Sequence, residues 1–137
     1  MSLASTLREK LLSLLPKLFI LSTSKLNDLL KEFPEASTRS TLLILYDDRG
    51  KKIGVWLGFE NNKPVVKGVD PKNPPYATNE ISMHIDVFIK IVKGQLDFRS
   101  AYLYDLIDIK SNDGLPETYH LLLWSAYFDK LVEILKK

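Results

Sequence analysis

Residues 80–114 read EISMHIDVFIKIVKGQLDFRSAYLYDLIDIKSNDG, and the hydrophobic period changes along this stretch. Ile81, Met83 and Ile85 alternate with Ser82 and His84, the two-residue repeat of a half-buried strand. Asp86 is placed to end that strand and to cap a helix over 87–93, since a short carboxylate accepts from the free amides of a first helical turn. Phe88, Ile91 and Val92 share one face of that helix, and Gly94 closes it because glycine tolerates the left-handed conformation of a helix terminus. Residues 95–103 hold a short helical turn capped by Asp97, and 106–109 return to strand, with Ile107 and Ile109 opposite Asp108 and Lys110. Strand, helix, helical turn and strand in succession predict an α+β domain.

Upstream, the same two-residue period governs residues 41–69. TLLILY (Thr41–Tyr46) is followed by the turn Asp47-Asp48-Arg49-Gly50, whose glycine is free to take a positive φ. Ile53, Val55, Leu57 and Phe59 then alternate with Lys52, Gly54, Trp56, Gly58 and Glu60. Asn61-Asn62 supplies a second tight turn before a strand over Pro64–Val69. The three segments predict an antiparallel meander. Their period further predicts that Ile53, Val55, Leu57 and Phe59 share a sheet face with Ile81, Met83 and Ile85. Residues 70–79 (DPKNPPYATN) carry three prolines and read as an irregular loop.

The two ends read as helix. Leu3, Leu7, Leu11, Leu14 and Leu18 recur at helical spacing, with Pro16 expected to stop or kink that helix at Leu15, and a second helix is expected over Lys25–Phe33. Ser24 is its expected cap, Leu26, Leu29, Leu30 and Phe33 its apolar face, and Pro34 its end. Residues 35–40 (EASTRS) read as a polar connector. At the other end Pro116 starts a helix reaching about Leu135, with Glu117 near its start and Lys136-Lys137 at its end, each suited to the helix dipole. LLLWSAYF (Leu121–Phe128) is apolar almost all round. A helix of that kind is enclosed in a core, covers an apolar cavity, or docks on a partner.

Composition narrows the chemistry. The chain has 137 residues, 19 basic against 17 acidic side chains, no cysteine and two histidines. The length suits one domain over 1–137, divided into a helical leader (1–34) and a core (40–135). The balanced charge argues against a nucleic-acid binder. The absence of cysteine removes disulfides, thiolate metal sites and cysteine nucleophiles. His84 and His120 have no histidine or carboxylate at i+3 or i+4, so no metal site is expected. Asp47, Asp48, Asp105 and Asp108 are the candidate acids or bases: Asp47 and Asp48 sit in a hairpin turn, where carboxylates are commonplace, and Asp105 and Asp108 lie near a strand start. No phosphate loop or nucleophile elbow is present. The expectation is a protein that is not an enzyme and needs no cofactor. No apolar run is long enough to cross a bilayer, and no signal peptide is evident, so a cytoplasmic location is expected. Arg49, Lys51, Lys52, Lys63, Lys67 and Lys72 cluster in the meander with Asp47, Asp48, Glu60 and Asp70 interleaved. They read either as a solvated edge that keeps strands from pairing or as a weak attraction to anionic membrane surfaces.

At residues 80–114 the sequence resembles the sterol carrier protein-like family of small lipid-transfer domains. The matching positions are Ile81, Met83, Ile85, Phe88, Ile91, Gly94, Leu96, Ala101, Leu103, Ile107, Ile109 and Lys110. The likeness extends over about 40–135. It departs at Tyr104-Asp105, where the family has glycine, and at Ser111-Asn112-Asp113-Gly114, where it has Gly-Asp; the family's peroxisomal C-terminal tripeptide is replaced by Leu135-Lys136-Lys137. The resemblance implies a five-stranded, mainly antiparallel sheet covered on one face by helices, with a tunnel for an apolar ligand between them. Suitable lining comes from Val55, Leu57, Phe59, Met83 and Ile85 of the strands and Phe88, Ile91 and Val92 of the internal helix. Leu122, Trp124, Phe128 and Leu131 complete it from the last helix. Met83 adds an adaptable thioether. Two functions follow. One is binding and transfer of a fatty acyl chain or other lipid. The other is an accessory or oligomerisation module, as a homodimer or with an enzyme of lipid or acyl-thioester metabolism. A continuous cavity under the last helix favours the first, and a solid core or exposed patch the second.

Overall fold

The computed structural model describes residues 23–135. The leucine repeat Leu3–Leu18 lies outside them. Helix α1 (Thr23–Glu32) is followed by a 3-10 turn, Pro34–Thr38, in place of the expected connector. Pro34 cannot extend an α-helix but suits the first position of a new turn, and the turn buries Ala36. Ser24 sits inside α1 rather than before it.

Strands β1 (Thr41–Tyr46), β2 (Lys52–Glu60) and β3 (Lys63–Val69) form the expected meander. The Asp47 carboxylate accepts from the amides of Arg49 and Lys51, each at 2.9 Å, and Gly50 has φ 80°. Asn61 and Asn62 both take positive φ, 53° and 63°, the geometry of a two-residue hairpin turn that matches strand twist.

Strand β4 (Asn79–His84) lies parallel to β1, so the sheet order is β3-β2-β1-β4-β5, with β5 (Ile107–Ser111) antiparallel to β4. The parallel pair makes this a mixed sheet, mainly antiparallel as expected. It is a consequence of the 70–79 loop, which carries the chain back to the start of β1.

Between β4 and β5 lie helices α2 (Ile85–Val92) and α3 (Phe98–Leu103). The α2 boundary differs from expectation. Ile85 belongs to the helix, and its cap is His84, whose Nδ1 accepts from the Asp86 amide at 3.0 Å. The His84 ring also lies 2.8 Å from Asp48 through Nε2, which holds it in that cap. Asp97 caps α3 by accepting from the Ser100 amide at 3.2 Å. Helix α4 (Glu117–Leu135) follows.

The register sets the core. Val55, Leu43, Ile81 and Ile109 lie in one row across four strands, and Ile53, Leu45, Met83 and Ile107 in the next. All face α2, α3 and α4 in one cluster, so the meander and β4 do share an apolar face. The opposite face carries a smaller cluster of Leu42, Trp56 and Ala77, closed by the 70–79 loop through a hydrogen bond from Trp56 Nε1 to the Tyr76 carbonyl at 3.0 Å.

Candidate functional site

The apolar lining expected from sequence converges on the space between sheet and helices. Val55, Leu57, Met83, Ile85, Phe88, Ile91, Val92, Trp124 and Phe128 are buried there, and Phe59 is half-buried against them. Leu122 is a correction: it is 55 % exposed. It lies two residues before Trp124, about 200° round the helix at 3.6 residues per turn, so the turn that buries Trp124 turns Leu122 outward. The side chain of Leu131 lies outside the described residues.

The core is aromatic beneath α4. Phe98 and Phe128 stack with centroids 4.7 Å apart, and Tyr127 meets Trp124 and Phe128 edge-on at 5.9 and 5.5 Å. Where α2 ends, α3 begins and α4 passes, a crevice of about 260 Å³ opens among Ile91, Gly94, Leu96, Phe98, Phe128 and Val132, with Asp97 and Asp129 at its rim. That is just under the roughly 300–1,000 Å³ of ordinary small-molecule sites.

Toward the other end of α4 the same sheet face becomes polar. Thr41, Asn79 and Ser111 form the row after Leu43, Ile81 and Ile109. Trp124 Nε1 donates to Asn79 Oδ1 at 3.1 Å, and His120, one helical turn away, has Nε2 at 3.1 Å from Ser111 Oγ and 3.3 Å from Asp113 Oδ1. Arg39 pairs with the other oxygen of Asp113 and lies over the Tyr119 ring, 5.2 Å from its centroid. Burial holds the His120 pKa below its ordinary value, with the Arg39 charge adding to the effect. Four buried polar atoms have no partner among the described residues: Arg39 Nε, Thr41 Oγ1, Asn79 Nδ2 and His120 Nδ1.

Serine, histidine and aspartate together invite comparison with an acyl-transfer triad, and the geometry differs. In such a triad the acid holds Nδ1 while the nucleophile faces Nε2. Here both Ser111 and Asp113 face Nε2, and His120 is fully buried. Of the carboxylates read as candidate acids, Asp48 meets His84, whereas Asp105 and Asp108 lie along a shallow groove by α3 and β5. No group of three or more potential metal ligands occurs among the described residues, and no described helix is long and apolar enough to cross a membrane.

The polar row was missed in the sequence, although its signal is there. Extending the two-residue period back from Leu43 and Ile81, and on from Ile109, reaches Thr41, Asn79 and Ser111: polar residues in phase with a buried face.

No family model matches the chain, and no curated protein matches it in sequence. Solved structures do. A crystal structure of sterol carrier protein 2 matches with TM-score 0.58 and 18 % identity, over 85 % of this chain and 91 % of that one. Sterol carrier protein 2 from Yarrowia lipolytica matches at 0.56 and 17 %, over 82 % and 87 %. Sterol carrier protein domain 2 of Helicoverpa armigera matches at 0.57 and 16 %, over 83 % and 87 %. Sheet order, the paired helices between β4 and β5 and the closing helix α4 together give this chain the fold of sterol carrier protein 2.

Proposed function

We propose that this protein binds, and hands on, an apolar ligand of the acyl-chain type, held between the sheet and α2, α3 and α4 without covalent chemistry. The observation that carries the reading is the crevice floored by Ile91, Phe98 and Phe128, two of which, Ile91 and Phe128, are among the residues the sequence singled out. Apolar ligand sites need shape and a few polar groups more than reactive ones. Each Å² of ligand surface taken from water contributes about 25 cal/mol, so a medium-length chain needs no charged anchor. Entry requires the Phe98–Phe128 pair to part.

The test is native mass spectrometry of freshly purified protein for retained lipid, followed by titration with a long-chain fatty acid. Saturable, one-to-one binding that alters tryptophan emission is expected. Trp56→Phe keeps the change, because Trp56 packs on the far side of the sheet; Trp124→Phe removes most of it. Absence of any saturable signal rejects carriage.

A second reading has its own observation. Leu103 (78 % exposed), Tyr104 (69 %) and Leu106 (41 %) stand together at the corner between α3 and β5. An exposed apolar corner of this kind suits an accessory module docking on another protein, and a concentration-dependent mass lost in Leu103→Ser/Leu106→Ser supports it.

A further inference from the structure

We propose that β5 is the seam of a homodimer: the free edges of β5 in two copies of this chain pair antiparallel about Ile109 and join the two sheets into one. The proposal is independent of lipid carriage. It rests on the docking reading of the corner at Leu103, Tyr104 and Leu106, and deepens it by naming a second copy as the partner.

Strands β3 and β5 are the two edges of the sheet, and they differ. β3 carries Pro64, which has no amide to donate, between Lys63 and Lys67; proline and lysine keep an edge from pairing. β5 reads IDIKS, with neither proline nor glycine. Ile107, Asp108 and Ile109 all line a groove of about 340 Å³ beside it. Side chains of both faces meet there, so the groove wall is the backbone edge of the strand, left open by α3 and α4. The register shows which groups point into it. The Asn112 amide donates to the Thr78 carbonyl at 2.9 Å, continuing the ladder in which Asn79 faces Ser111. Bonded and non-bonded positions alternate in an antiparallel pair. Asp108 and Lys110 therefore turn their main-chain groups to β4, and Ile107, Ile109 and Ser111 turn theirs outward.

Charge selects the register of the second copy. Asp108 and Lys110 are exposed on the sheet face opposite Ile107 and Ile109, which belong to the core. With the dyad at Ile109, Ile107 faces Ser111 of the second copy, so outward groups meet outward groups. Asp108 then faces Lys110 of the second copy, and Lys110 faces its Asp108, at the non-bonded positions where side chains lie closest. A dyad at Asp108 sets two carboxylates opposite each other, and one at Lys110 sets two ammonium groups. A dyad between residues sets outward groups against groups already bonded to β4. Lys110 also lies 3.5 Å from Glu80 but is 74 % exposed, so its amine reaches across the seam. This dyad stands perpendicular to the sheet. The helices of both copies then lie on one side of it, and each Leu106 continues the ladder opposite Asn112 of the second copy. A five-residue strand, with Asp105 and Glu117 of each copy beside it, makes a small interface, with a dissociation constant of about 10–100 μM.

The test is sedimentation equilibrium of the full chain from about 10 μM to about 1 mM, a span suited to a weak interface. A monomer–dimer equilibrium is expected. Asp108→Lys or Lys110→Asp alone sets like charges opposite each other at both symmetry-related positions, and each should weaken the dimer about tenfold or more. An equimolar mixture of the two variants should recover the unaltered affinity to within about threefold, as should the double variant Asp108→Lys/Lys110→Asp. A misfolded variant could produce neither recovery. By NMR hydrogen exchange, the amides of Ile107 and Ile109 should slow as concentration rises while those of Asp108 and Lys110 stay unchanged. A chain monomeric throughout overturns the proposal, as does a failure of both the mixture and the double variant to recover. A dimer indifferent to the charge reversals but lost in Leu103→Ser/Leu106→Ser overturns the β5 pairing and keeps the corner reading. A dimer indifferent to both sets of substitutions overturns the two together.

Discussion

Trp124 Nε1 donates to Asn79 Oδ1 across 3.1 Å of fully buried space, the largest side chain of the core tied to a polar residue on the sheet. The bond fixes the rotation of α4 over the sheet. Hydrophobic packing resists separation of a helix from a sheet but discriminates weakly between neighbouring rotations, whereas an indole N–H left unsatisfied costs about 1–3 kcal/mol. Asn79→Ala should therefore lower stability by about 1–3 kcal/mol in urea unfolding. Combined with Trp124→Phe, the effect should be less than the sum of the single losses, because either change alone already breaks the bond. Strict additivity in the double-mutant cycle would show that the pair contributes packing alone.

Gly58 marks a contact on the opposite face. A Cβ built there lies 2.6 Å from the Trp56 ring and 3.0 Å from Cβ of Ser40. The ring is held by its bond to the Tyr76 carbonyl and by Lys67, whose Nζ lies 4.9 Å above it. Gly58→Ala must displace the indole and with it the 70–79 loop. A cost of about 1–3 kcal/mol is expected, the usual range for overpacking, with a tryptophan emission shift toward that of exposed indole. Unchanged emission would mean that the loop gives way and the ring stays.

Much of this architecture is written in local pattern. The alternation in β2 and β4 gives the core face, Asp47–Gly50 and Asn61-Asn62 give the hairpins, and Asp97 gives the start of α3. What local pattern misreads is where two signals compete. Asp86 has the chemistry of a cap, yet His84 takes the position because Asp48, far away in sequence, holds its ring. The parallel β1·β4 pairing carries no local mark, since it depends on where a proline-rich loop returns the chain. Leu122 reads as interior because its neighbours are all apolar; only the angle set by Trp124 and Tyr127 shows that it faces out. The polar row needs two strands in register before Thr41, Asn79 and Ser111 become neighbours.

Leu122 and Phe128 make a paired test of that angle. Leu122→Ser removes an apolar side chain that is mostly in water already, so stability should change by no more than about 0.5 kcal/mol. Phe128→Ala empties the stack with Phe98 and should cost about 3–5 kcal/mol. If acyl-chain binding passes between those rings, the second variant also alters affinity and the first does not. Comparable losses from the two would place Leu122 inside the core after all.

His120 makes stability depend on pH in a direction that follows from its burial. The folded ring titrates below its ordinary value of 6.5, chiefly because burial penalises the charged form and secondarily because Arg39 is near. In the unfolded chain it titrates near that ordinary value. Well above the ordinary value of 6.5 both states hold the neutral ring and the group contributes no pH dependence. As pH falls through that value the unfolded state takes up a proton that the folded state refuses, so unfolding becomes more favourable. The loss continues until the depressed folded value is reached and then levels off. Asp113 opposes the shift, since it faces Nε2 at 3.3 Å; burial and Arg39 outweigh it because a fully enclosed ring has little solvent to stabilise its charge. Urea unfolding between pH 7.5 and 5.0 should show the midpoint falling on acidification. In His120→Asn, less stable throughout, that part of the slope should be missing. The ring's own resonances, followed by NMR, should show it titrating below 6.5. A ring that titrates at or above its ordinary value, or parallel stability profiles for the two proteins, would mean that the Asp113 carboxylate governs this site, and His120 would then be a charged partner rather than a neutral acceptor.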